Sequence, residues 1–394
     1  MMTNDIRSHF SSMLQAKNFA EFFAGIGLVR AGLEKQGWSI AFANDISKQK
    51  YEMYKGHFKN AQEHFLVADI HKIPAEHIPS VTLATASFPC NDLSLAGSRS
   101  GLQGEHSSAF WGFIHILEQM QDRKPPLVVL ENVTGFLSSN KGEDFKQGLV
   151  ALNNLGYTVD TFILDAAHFV PQSRQRLFII GISEELGPTT SVPTLNIPIS
   201  DTRPKSLVAF ITAHPQIRWR IRFLPSQPTN SLRLEDILED LPETASEWWS
   251  HVRATYLLEQ MSVRHRILAD QMITDAKWSY GTVFRRMRNK KSTAELRVDG
   301  IAGCLRTPRG GSAKQILFKA GHGHYYARLI TPREAARLMG ANDYTITVSL
   351  DQALFGFGDA VCVPAIAWIA AHYLNPAIEE IIHRDFSHLA LQEA

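Results

Sequence analysis

The stretch Ala86-Ser87-Phe88-Pro89-Cys90-Asn91-Asp92-Leu93-Ser94 decides how the chain is read. The apolar residues Val81, Leu83, Ala84 and Ala86 lead into it and spell a buried strand. Pro89 stops that strand, because proline has no N–H to give to a ladder. Cys90 therefore falls at a strand's C-terminal end, the edge where open α/β sheets place their ligands. The run from Ser94 to Ser108 is small and polar and carries Gly97, Gly101 and Gly104, which predicts a segment able to move. A single cysteine at a strand end is most often a small core residue. Its neighbours along the chain argue for more.

Upstream, Phe19 to Ala24 is apolar and ends in Gly25-Ile26-Gly27, followed by an amphipathic run through Leu28, Val29, Ala31 and Leu33. That pattern predicts strand, glycine turn and helix, a turn that lets backbone approach a ligand closely. Trp38 to Ala43 reads as a second strand ended by Asn44-Asp45. An acid there, about 20 residues after a glycine turn, is where nucleotide folds hold a ribose, although Asp45 also suits a helix N-cap. Phe65 to Ala68 gives a third strand ended by Asp69-Ile70. Downstream, Leu127 to Leu130 gives a fifth strand ended by Glu131-Asn132-Val133. Glycines, Asp45, Asp69, Cys90 and Glu131 thus stand on one edge of an expected parallel sheet. Arg174 and Arg176 precede the apolar strand Leu177–Gly181 and alternate on one face of an extended backbone.

The chain has 394 residues, 44% of them hydrophobic, and room for two or three domains. No apolar run approaches the roughly 20 residues of a membrane span. Met1 to Lys17 is polar and mixed in charge, unlike a secretory signal, with helical spacing over about 4–16. Three cysteines without a CxxC pair argue against zinc or a disulfide frame, predict no metal and fit a reducing compartment. The net charge is +1, yet Arg285-Arg286-Met287-Arg288-Asn289-Lys290-Lys291 holds five cations and no acid. Such a run is usually a solvated face; beside a cleft it becomes a phosphate clamp. From Glu184 the texture turns irregular. Regular structure is expected again at Ile301, with a capped helix at Thr331–Gly340, a turn at Gly356–Val361 and an apolar helix from Val363 to Tyr373.

In order, the chain carries Phe22-Phe23-Ala24-Gly25-Ile26-Gly27, Phe88-Pro89-Cys90, Glu131-Asn132-Val133, Gln172-Ser173-Arg174-Gln175-Arg176, Arg328-Leu329-Ile330-Thr331-Pro332-Arg333-Glu334 and Gly358-Asp359-Ala360-Val361. This ordered set closely resembles the cytosine-C5 DNA methyltransferases. The resemblance covers most of 18–182 and 300–375 and leaves the middle where that family keeps its variable target-recognition domain. It implies a Rossmann-like α/β sheet with helices on both faces. The expected divisions are 1–184 for the catalytic and cofactor-binding part, 185–300 for an inserted, irregular target-recognition domain, and 301–394 for the return.

By resemblance, Cys90 is the nucleophile that adds to cytosine C6, and Glu131 contacts N3 and the exocyclic amine. Arg176 holds O2, and Arg174 positions the catalytic loop. The implied methyl donor is S-adenosyl-L-methionine. Phe23, Ala24, Gly25, Ile26 and Gly27 would line its methionine end, Asp45 and Ile46 the ribose and adenine, and Asp69 and Ile70 the adenine edge. Pro89, Asp359, Ala360 and Val361 would close the pocket. The implied substrate is double-stranded DNA with a flipped-out cytosine, contacted through Ser94, Arg99, Arg285, Arg286, Arg288, Lys290 and Lys291. The resemblance also implies a cytoplasmic, nucleoid-associated monomer that protects host DNA beside a companion restriction endonuclease. Four departures stand out: Asn91 where the family has Gln, Leu28 where it has a second glycine, Ser107-Ser108 where it has Arg, and Asp359-Ala360 in a motif that usually reads Gly-Asn-Ser-Val. Two rival readings are an RNA cytosine-5 methyltransferase, disfavoured by the long insert, and a catalytically silent DNA-binding relative, disfavoured because Cys90, Glu131 and Arg176 are all present.

Overall fold

A computed structural model describes residues 14–89, 108–187, 196–288, 291–307 and 314–390. Cys90, Asn91, Ser94, Arg99 and Lys290 lie outside these residues, as does nearly all of the helix expected at 4–16.

Seven strands form the main sheet: β1 (Asn18–Phe22), β2 (Ser39–Asp45), β3 (Phe65–Val67), β4 (Leu83–Ala86), β5 (Leu127–Val133), β6 (Tyr157–Asp165) and β7 (Gln175–Ser183). Their order is β3-β2-β1-β4-β5-β7-β6. β3 to β5 run parallel, and β7 inserts antiparallel between β5 and β6. The order reverses beside β1, so the C-terminal ends of β1 and β4 flank the crevice where such sheets bind ligands.

Side-chain alternation along β1 feeds two cores. Ala20 and Phe22 join one apolar layer with Phe110, Phe113 and Leu117 of α3 and with Phe145 and Leu149 of α4. Phe19 joins the other, with Leu83, Leu127, Ile180, Trp368 and Ile369. The helices are α1 (Leu28–Glu34), α2 (Lys48–His57), α3 (Ser108–Gln119), α4 (Glu143–Asn154), α5 (Lys205–Ala213), α6 (Leu234–Ile237), α7 (His251–Glu259), α8 (Val263–Thr274), α9 (Pro332–Leu338), α10 (Leu350–Asp359), α11 (Val363–Ile369) and α12 (Asn375–Ala390). α11 packs directly on α1: a Cβ at Gly32 would stand 2.6 Å from Ile366 Cβ. An 18-residue window within Leu350–His383 is apolar enough to cross a membrane by composition, but 72% of it is buried inside the protein, so core packing accounts for it.

The segment after 185 is more regular than its sequence suggests. Beyond α5 to α8 it forms β8 (Ser279–Arg288) and β9 (Lys291–Arg297), which join β10 (Ile316–Gly321) and β11 (His324–Leu329) in an antiparallel sheet ordered β11-β10-β8-β9. This sheet crosses residue 300, where the sequence places a boundary. The expected turn at Gly356–Val361 is instead largely the C-terminal half of α10. The second sheet is locked to the catalytic part by a buried pair. Arg328 of β11 donates to both carboxylate oxygens of Glu334 in α9, at 2.7 and 2.5 Å. Glu334 also caps its own helix through Thr331 and accepts from the Glu239 N–H at 2.9 Å.

Candidate active site

The end of β1 is shaped by backbone that only a few residues tolerate. Phe23, Gly25 and Gly27 have φ of 56°, 57° and 80°. A Cβ at Gly27 would fall 2.5 Å from the Phe58 ring and 2.6 Å from Tyr54, so no other residue fits there. Asp45, at the end of β2, accepts from the Gly25 N–H at 2.9 Å and from the Ser47 N–H at 2.8 Å. It fixes the glycine turn directly. The N-cap reading of Asp45 does not hold, because Ser47 caps α2 and accepts from the Lys50 N–H; Asp45 organises the turn instead.

Beside Asp45 stands Ile46, 69% exposed, an apolar side chain facing open space next to a buried carboxylate. An exposed apolar side chain beside a buried carboxylate would suit the ring and the hydroxyls of a nucleoside. Asp69 accepts from the His71 N–H through one oxygen at 3.1 Å. Ile70 and Val361 pack into the cores at 5% and 3% exposure, whereas Pro89 is exposed.

The other half of the edge is built from charge. The Arg176 guanidinium meets the Glu131 carboxylate at 2.9 Å, with both side chains mostly buried, joining the end of β5 to the start of β7. Asn132 donates to the Phe88 carbonyl at 3.1 Å, holding the end of β5 to the turn that leads to Cys90. Arg174 is 3% exposed and gives most of its hydrogen bonds to backbone. It reaches the carbonyls of Leu305, Gly358 and Ala360 at 2.8, 3.1 and 2.6 Å. The two arginines therefore divide the work: Arg176 faces a carboxylate, while Arg174 clasps two distant segments to the sheet.

Sequence reasoning missed three residues here. Gln172 donates to the Leu338 carbonyl at 2.6 Å and accepts from the Leu305 N–H at 2.9 Å, tying the return segment to the edge. Cys304 lies beside both arginines, its sulfur 3.3 Å from an Arg174 donor. Burial opposes ionisation of this thiol, but the charges of Arg174, Arg176 and Arg306 outweigh it and pull its pKa down. Thr307 donates to Asp359. A sequence far from Arg174 in number gave no signal for these contacts; only the fold brings 304–307 to this edge.

The basic run reads differently once folded. Its described residues lie on β8 and at the start of β9, so Arg285 and Arg286 fall on opposite faces of the ribbon. Arg285 lies opposite Ala294, whereas Arg286 lies opposite Thr293 and sits 3.7 Å from Glu295. Among the described residues there is no cluster of three or more His, Cys, Asp or Glu suited to a metal.

The sequence matches the family described as C-5 cytosine-specific DNA methylase over residues 17–375. The chain belongs to that family. The methyltransferase is 28% identical over 360 residues to the Type II methyltransferase M.DsaV of Dactylococcopsis salina, covering 91% of this chain and 86% of the relative. It is 27% identical over 357 residues to the Type II methyltransferase M.BsuFI of Bacillus subtilis, covering 89% and 71%. In fold it is similar to the S. pombe Dnmt2 methyltransferase, with a TM-score of 0.61 at 18% identity, covering 91% of this chain and 98% of that one. The Entamoeba histolytica methyltransferase EhMeth gives 0.58 at 17%, covering 94% and 98%. The enzyme is thus a DNA (cytosine-5-)-methyltransferase, of a family whose members use S-adenosyl-L-methionine.

Proposed function

We propose that the methyltransferase modifies a flipped-out cytosine through a covalent adduct of Cys90 with C6. The observation that carries this reading is the Glu131–Arg176 pair at 2.9 Å, placed beside the turn that leads to Cys90. Carbon 5 of cytosine is too electron-poor to take a methyl group unaided. A thiolate at C6 turns the ring into an enamine that attacks through C5. Glu131 binds N3 and the exocyclic amine, which draws electrons toward N3 during addition and rejects thymine. Arg176 holds O2 and, with the Arg174 charge, favours the thiolate form of Cys90. After transfer the C5 proton is removed and the thiol departs. A base buried in a duplex cannot reach this edge, so the nucleotide is flipped out.

S-adenosyl-L-methionine supplies an electrophilic methyl on its sulfonium. Phe23 to Gly27 receive its methionine end, Asp45 and Ile46 its ribose and adenine, and Asp69 the adenine amino group, with Pro89, Asp359 and Ala360 bounding the pocket and Ile70 and Val361 backing it. Residues 185–300 with the second sheet read the duplex; Arg285, Arg286, Arg288, Lys290 and Lys291 hold phosphates, and Ser94 and Arg99 also bind DNA. The Type II relatives support a restriction-modification role, and the proposal adds a cytoplasmic monomer acting beside a companion endonuclease. Methyl transfer from labelled S-adenosyl-L-methionine to unmethylated duplex DNA and to tRNA, with wild type and Cys90→Ala, tests this reading. Label on DNA cytosine that vanishes in the variant is expected. Label confined to tRNA, or retained by Cys90→Ala, would overturn it.

A further inference from the structure

The family resemblance places an uncharged Asn where this chain has Asp359, so a carboxylate has entered the mouth of the cofactor crevice. It has not entered alone. Lys50, on the first turn of α2, meets Asp359 at the end of α10 at 2.8 Å. The lysine stem runs along the glycine turn, its Cδ 4.0 Å from where a Cβ of Gly25 would stand. Its ammonium lies 5.7 Å from the Phe355 ring centroid. The pair therefore sits over the turn that, on the reading above, receives the methionine end of the cofactor.

The pair is also braced. Arg174 holds the carbonyls of Gly358 and Ala360, on either side of Asp359, and the Thr307 hydroxyl donates to its Oδ1. Three separate parts of the chain thus fix one half-exposed carboxylate, whose side chain is 36% exposed against 18% for Lys50. An ordinary surface ion pair contributes little and needs no such support.

We propose that Lys50 and Asp359 together recognise the zwitterionic amino-acid end of the methyl donor. This rests on the proposed cofactor site. The methionine end carries an ammonium and a carboxylate on one carbon. Asp359 alone would attract the first and repel the second. With Lys50 alongside, the internal pair opens into two external ones: Asp359 takes the ammonium and Lys50 the carboxylate. Every charge keeps a partner, so little desolvation is left uncompensated. Lys50 and Asp359 act as specificity residues for the donor and its product; neither touches the reacting methyl.

The test is equilibrium binding of S-adenosyl-L-homocysteine by calorimetry, with 5′-methylthioadenosine, which lacks the amino-acid end, measured by competition. Lys50→Met is expected to weaken S-adenosyl-L-homocysteine about tenfold or more and to leave 5′-methylthioadenosine within about twofold of wild type. Lys50→Arg should retain most of the affinity. Lys50→Met combined with Asp359→Asn, which removes both charges and places the family's Asn at 359, should regain part of what Lys50→Met loses. Melting temperatures of the free proteins check folding. An equal loss for both ligands, or no loss for either, would overturn the inference and leave the cofactor site standing. Failure of wild type to bind either ligand would overturn the cofactor reading and the inference with it.

Discussion

The edge of the main sheet and the tip of the β8–β9 hairpin both gather polar residues, but they hold them in opposite ways. At the sheet edge, groups from strands far apart in sequence are fixed by buried backbone contacts: Asp45 on the Gly25 turn, Arg174 on three carbonyls, Asn132 on the Phe88 carbonyl. At the hairpin tip, cations adjacent in sequence spread over two faces of one ribbon. The first arrangement places an atom within tenths of an ångström, as bond-making requires. The second supplies positive charge over an area, enough to hold phosphates while other side chains read base edges. Precision at the edge and spread at the tip make separate demands, and substitutions should separate them.

The largest effect falls at the edge. Glu131→Gln should lower methyl transfer by about 10²- to 10⁴-fold with little change in DNA affinity, since it removes a proton partner and its charge on Arg176. Single-turnover rates at saturating DNA check this. A loss seen only in DNA binding would blur the division between the two regions. Next comes the lock that joins them. Glu334→Ala strands Arg328, 1% exposed, and should destabilise the protein by about 3–5 kcal/mol in urea unfolding. A cost below about 1 kcal/mol would mean the two sheets do not depend on this pair.

At the tip, replacing Arg285, Arg286 and Lys291 by Gln should weaken binding alike for all DNA sequences. It should also flatten the dependence of log affinity on log salt by roughly 0.9 per lost phosphate contact. A changed sequence preference would instead make the tip a reader of bases. The last effect is a matter of pH. Burial pushes the Glu21 carboxyl on β1 up to about 8 from 4.5, against the pull of the Arg30 guanidinium. The folded chain therefore keeps a proton that the unfolded chain has released between those values, and this contribution to stability is lost as pH rises through about 8. Glu21→Gln should raise the Tm more at about pH 8.5 than at about pH 5. The reverse order in thermal melts would contradict the assignment.

The same contrast explains what the sequence disclosed. Parallel strands buried on both faces read as apolar runs, and each ends at a residue that breaks the run (glycine, acid or proline), so the ends of β1, β2, β4 and β5 could be placed from the sequence alone. The glycine turn and the acids followed. The hairpin did not, because β8 breaks the period-two pattern at Val283-Phe284 and Arg285-Arg286, and Arg285–Lys291 looks like one charged patch until the ladder divides it. Cys304, Thr307 and Lys50 were invisible for another reason. Their importance comes from contacts across 52 to 309 residues of chain, with Arg174 and Asp359, that no local pattern records.

The most direct measurement is covalent trapping on a duplex synthesised with 5-fluorocytosine in place of cytosine. Fluorine at C5 cannot leave as a proton does, so the adduct stalls after methyl transfer. With S-adenosyl-L-methionine, wild type should give a denaturation-resistant protein–DNA complex whose cross-linked peptide contains Cys90, and Cys90→Ser should give none. A complex that forms through Cys304, or methylation of ordinary cytosine with no trapped adduct, would contradict the proposed chemistry.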